Sequence, residues 1–130
     1  MKKLVTILVV FAIVLAAMIS EIVFVNSFYS GLQHDLERVS ESILMHEEHV
    51  DNEETVELCK AVADKWEKGK KKLLLLQNHN TVRNFDDKIV SLYAVVKTDN
   101  FNDAVIFVQS AINYIDDVLL DSIPYLSNIL

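Results

Sequence analysis

The chain has one cysteine, one proline and two glycines in 130 residues. A single thiol leaves no intrachain disulfide framework and no multi-cysteine zinc centre. So little proline and glycine leaves few tight turns for a β-sandwich or barrel, and argues against a disordered chain. Basic residues are also short, 12 against 19 acidic ones, for a net charge of −7. A balance of that sign excludes nucleic acid as a main partner, because neutralising phosphates needs spare Lys and Arg. The length suits one domain.

What the chain does have is an apolar excess, and it sits at one end. Leu4 to Ile19 carries no charge, and Thr6 is its one polar residue. After Ser20 and Glu21 the run resumes as Ile22-Val23-Phe24-Val25. Leu4 to Val25 is 22 residues, about 33 Å as a helix against a hydrocarbon core of roughly 30 Å. Glu21 falls near the end of this span, where its carboxylate reaches the interface and avoids the costly bilayer centre. Residues 4–25 therefore read as one transmembrane helix in contact with lipid. A cleaved signal peptide is the rival, since Lys2-Lys3 before an apolar run fits it. However, Ala16-Ala17-Met18-Ile19-Ser20 offers a poor cleavage site, and no cysteine follows for a lipoprotein.

Flanking charge predicts the orientation. Lys2 and Lys3 precede the span, while Glu21, Asp35 and Glu37 follow with only Arg38 opposing. Residues 1–3 are expected in the cytoplasm and residues 26–130 outside the cytoplasmic membrane. A receptor that relays a signal through its own cytoplasmic part is then not expected. Setting aside Lys2, Lys3 and Glu21, the part from residue 26 onward carries −8, one unit more acidic than the whole.

Beyond the span, helical periodicity dominates. Tyr29, Leu32, Leu36, Val39, Ile43 and Val50 continue a track begun by Leu15, Met18, Ile22 and Val25, with Gly31 the one weak point. This predicts a helix over 26–47, continuous with the anchor. Asp51 as N-cap with Glu54 three residues on suggests a second start. The helix over 52–77 carries Val56, Cys59, Val62, Trp66, Leu73 and Leu76 on one face. Gly69 falls on that seam, at a cost of about 1 kcal/mol relative to Ala, and marks a plausible kink. A third helix over 82–97 shows Val82, Phe85, Ile89, Leu92 and Val96. A fourth over 100–122 starts at Asp99 or Asn100 and shows Phe101, Val105, Val108, Ile112, Ile115 and Leu119, with small Ala104 and Ala111 beside them. Pro124 stops it, leaving an apolar tail over 123–130. Such amphipathic helices cannot hide their apolar faces alone and should form an antiparallel bundle. The expected fold is all-α: an N-terminal transmembrane helix running into a small extracytoplasmic helical bundle.

From Trp66 onward the words are familiar. Lys65-Trp66-Glu67-Lys68 precedes Lys70-Lys71-Lys72-Leu73 and Asn78-His79-Asn80. Ile89-Val90-Ser91-Leu92 follows, then Asp99 with Asn102-Asp103-Ala104, and last Leu126-Ser127-Asn128-Ile129-Leu130. With the Lys-Lys start and single anchor, this resembles the bacterial family called domain of unknown function 4363. The resemblance implies a short, single-pass, mainly helical protein, with no established catalytic residue to carry over. Members are often encoded beside multipass membrane proteins, which implies a membrane protein partner.

Several residues are candidates for chemistry. His46 and His49 stand three apart, and Asp51 or Glu53 could add oxygen ligands for a metal. The register is not that of zinc peptidases, and the plainer reading is a solvated helix end. Cys59 on the apolar stripe reads as a buried thiol. Trp66 on the same stripe reads as core, with partner binding as the sharper alternative. Lys68, Lys70, Lys71 and Lys72, with Lys65, form the one basic patch in an acidic domain. It is a solvated face, or a contact for anionic lipid headgroups, an anionic wall polymer or an acidic partner. His79 sits in a connector, suited to capping or to a partner surface. No nucleophile triad, phosphate loop or cofactor motif occurs. The expectation is a non-enzymatic partner-binding or scaffolding module without cofactor. The alternative is a metal- or small-ligand-binding domain built on His46 to Glu53.

Overall fold

A computed structural model describes residues 1–122. It contains four helices in chain order: α1 (Lys2–Met45), α2 (Glu53–Leu76), α3 (His79–Lys97) and α4 (Phe101–Ser122). The described residues contain no strand. The tail over 123–130 and the stop at Pro124 lie outside the described residues.

The 44-residue α1 is unbroken, because no proline interrupts it. It is long and apolar enough to cross a membrane. Residues 1–23 are exposed throughout, and the first buried side chain is Val25. From there Tyr29, Leu32, Leu36, Val39 and Ile43 are buried. The first helix is therefore a full member of the bundle and not a separate stalk.

The bundle runs up, down, up and down. Each helix packs against two neighbours in the ring α1–α2–α3–α4, and the backbones of diagonal helices stay apart. Side-chain pairs give the register. Lys65 of α2 meets Asp35 of α1 at 3.0 Å, and Lys72 lies over the Phe24 ring at 3.9 Å, so α2 descends towards the exposed apolar half of α1. Tyr114 of α4 donates to the Thr81 carbonyl at the start of α3, and Gln33 of α1 donates to Asp116 of α4. The end nearest the exposed apolar half of α1 thus gathers the α2–α3 connector and the end of α4. The far end gathers the α1–α2 and α3–α4 loops.

One aromatic ring from each helix meets in the half of the core nearer the exposed apolar part of α1. Phe85 of α3 stands edge-on to Trp66 of α2 at 4.7 Å and to Tyr29 of α1 at 5.7 Å, and stacks with Tyr114 of α4 at 6.0 Å. Such pairs stabilise beyond their buried area by roughly 0.5–1.5 kcal/mol each. Gly69 does not end α2, which continues through it to Leu76.

Details of the caps and seams differ from the sequence reading. The N-cap of α2 is Asn52, not Asp51; its Oδ1 accepts from the Thr55 N–H at 3.0 Å. The side chain of Thr55 turns inward and is fully buried, with Val56 half-buried. α3 starts at His79, three residues early, because Asn78 caps it. Asn100 caps α4 by accepting from the Asp103 N–H at 3.1 Å. In α4 the buried track is Ala104, Val108, Ala111, Ile115 and Val118, with Ile112 beside it. Phe101, Val105 and Leu119 are only half-buried. The alanines are the seam itself, since a helix wedged between α1 and α3 approaches closest where side chains are small.

Candidate functional site

The far end holds the histidines. His46 follows the last turn of α1, and its Nδ1 lies 2.9 Å from the Ser42 carbonyl, so that nitrogen carries the proton. Its Nε2 faces Glu54 at 3.8 Å. His49 turns the other way, with Nδ1 3.9 Å from Asp99 Oδ2. Asp99 has a left-handed backbone, φ 54°, as the residue past a helix end often does. Its Oδ1 accepts from the Val50 N–H at 2.8 Å, tying the two far loops together.

The candidate ligands His46, His49, Asp51 and Glu53 are not brought together as one set. Among the described residues, the donors that converge are His49, Asp51 and Asp99, with ligand atoms within 4.8 Å of one another. His46 is held by Ser42 and Glu54, and Glu53 lies exposed in the first turn of α2. All three converging residues are exposed. Asp99 was out of reach of spacing arguments because it lies on another loop, brought in by the bundle topology.

The second region is the lower half of α2. Trp66 is 1% exposed, which removes it from any partner surface. Its Nε1 donates to Asp86 Oδ1 at 2.8 Å, and Lys70 Nζ reaches the same oxygen at 3.1 Å. Lys70 also pairs with Glu67 at 3.0 Å. The bond with Glu67, then the contacts with Asp86, hold the Lys70 ammonium above the ordinary lysine range. Lys70 is thus committed within the chain. Lys68, Lys71 and Lys72 remain exposed, and none forms an ion pair among the described residues. Leu75, one turn below, is 85% exposed. The run Leu73 to Leu76 was its signal, for four successive leucines cannot all face one core. His79 is exposed at the head of α3, beside a shallow hollow with Lys70, Leu74, Arg83 and Asp86.

A third feature is an open groove between α3 and α4, lined by Lys88, Val105, Ile106 and Tyr114. Lys88 Nζ bridges it by donating to Ser110 Oγ at 2.8 Å. Ile106 is about three-fifths exposed. Gln109, Ser110, Asn113 and Asp117 complete the lining, so the trough is open and mixed in character.

The Cys59 thiol is buried and pushed up to about 12 by burial. A thiol held protonated there is a poor nucleophile and metal ligand. Comparison of the chain with protein-family models, with curated proteins and with solved structures finds no match.

Proposed function

We propose that this chain is a single-pass membrane module whose bundle lies outside the cytoplasmic membrane and docks a membrane protein partner without catalysing a reaction. The observation that carries it is the exposed apolar half of α1, which continues unbroken into a fully packed core. An apolar surface of that size needs lipid or protein to cover it. Lys2 and Lys3 at one end and the acidic bundle at the other support an inward N-terminus. The resemblance to domain of unknown function 4363 belongs to the same reading and supports a membrane protein partner.

The test has two arms. Protease added to wall-stripped cells should digest the part after Asn26; full protection would invert the orientation. Crosslinking in native membranes, followed by purification, should recover one stoichiometric membrane protein; recovery of none would remove the docking role.

A further inference from the structure

The anchor and the bundle overlap. Leu76 of α2 lies against Ile22 and Val25 of α1, in a hollow that Glu21 also lines. Those three residues close the apolar span of α1. The end of α2 therefore stands at the depth where the span leaves the hydrocarbon. Leu75 is level with that end and exposed. Lys72, Lys71 and Lys68 precede it by three, four and seven residues, the spacing of one helix face. The lysines begin about 4.5 Å further from the bilayer than Leu75. An apolar tip below, with the Lys68 and Lys71 ammonium groups and the Phe24-stacked Lys72 above, none of them in an ion pair among the described residues, matches the order of acyl chain and headgroup in a leaflet.

Charge on the bundle is one-sided in the matching sense. α4 is diagonal to α2 in the ring. It carries Asp103, Asp116 and Asp117 and no basic residue. An anionic surface would attract the α2 edge and repel the α4 edge.

We propose that the anchor-proximal end of α2 docks on the membrane itself, with Leu75 in the acyl boundary and Lys68, Lys71 and Lys72 on anionic headgroups, tilting the bundle onto its α2 edge. This rests on the anchor reading above and adds a second, peripheral membrane contact to it.

The full chain is reconstituted in vesicles of phosphatidylcholine, or of phosphatidylcholine with phosphatidylglycerol. An environment-sensitive fluorophore is placed at Val14→Cys, Leu75→Cys or Leu44→Cys under native conditions, where Cys59 stays buried. Wild-type chain sets the background, and far-UV circular dichroism verifies each fold. Shallow spin-labelled lipid should quench the label at 75 in the anionic vesicles and leave the one at 44, at the far end, unquenched. Changing Lys68, Lys71 and Lys72 to Glu should release position 75, since each lysine shifts the docked ratio roughly fivefold. High salt should do the same. A label at 75 as wet as that at 44 would overturn the proposal. So would quenching at 75 that ignores both phosphatidylglycerol and the lysines. If lipid labelled at depth fails to quench position 14, the anchor reading falls instead; quenching at 14 without quenching at 75 removes only the docking.

Discussion

The ring of Phe28 lies directly over Gly69, where a methyl group on the glycine would overlap it. Phe28 is itself wedged between Phe24, Tyr29 and Trp66. The glycine is a contact surface between α1 and α2. At Gly31 a methyl would meet only the mobile end of Lys65. The same Gly→Ala change should therefore have opposite signs. Gly31→Ala gains up to about 1 kcal/mol of helix propensity, less what is lost from the exposed Lys65–Asp35 pair. Gly69→Ala should destabilise by about 1 kcal/mol or more through overpacking. Denaturant melts read both; stabilisation by Gly69→Ala would remove the contact.

Asp86 joins Trp66 and Lys70. Asp86→Ala leaves the Trp66 N–H without its acceptor and should cost about 1.5–3 kcal/mol. Asp86→Asn keeps an oxygen there and should cost less. Equal losses in the two variants would mean that the indole bond contributes nothing.

Ser42 and Thr55 share a buried hydroxyl pair at 2.6 Å. Ser42→Ala strips one partner from a buried group and should destabilise by about 1–3 kcal/mol. The double variant Ser42→Ala with Thr55→Val should be milder than the sum of the singles. Additivity would show that the pair is not coupled.

Alkaline pH should weaken the fold. The Cys59 thiol is raised from 9.0 to about 12 by burial. Burial first, then repulsion from Tyr114, raises the Tyr29 phenol, and Lys70 is also raised. The unfolded chain releases these protons at ordinary values while the folded one still holds them. Stability is therefore full below about pH 9 and falls as pH rises through the raised values. Melts across that range should show the decline, and Cys59→Ala should delay its onset. Stability that stays flat to about pH 11 would contradict the burial of these groups.

Zinc should leave the melting temperature unchanged, because His49, Asp51 and Asp99 are exposed and Asp99 is engaged with Val50. A rise that disappears in His49→Ala would establish an ion site at the far loops.

Most of the helical framework was legible because helical burial repeats every three to four residues. Tyr29 to Ile43 and Val82 to Val96 were buried as their spacing required. Local chemistry was less legible where two residues compete for one role. Asp51 and Asn52 both suit a cap, and only the inward turn of Thr55 decides between them. In α4 the large residues marked the stripe one position off, because size was read as burial where closeness mattered. Asp99 and Phe28 act across helices, and no one-dimensional spacing carries that. Leu75 was signalled by the run Leu73 to Leu76, but the periodic reading took from that run only its core-facing members.

The uninterrupted backbone of α1 has a consequence for bearing. Tyr29 and Leu32, locked in the core, fix the azimuth of every exposed apolar residue before them. The bundle cannot swivel on its stem. On the proposed membrane reading, a neighbour that grips one flank of residues 4–25 thereby chooses which edge of the bundle it meets above. One residue added at Val23 would turn the stem by about 100° against the bundle, leaving both halves intact and facing the wrong way.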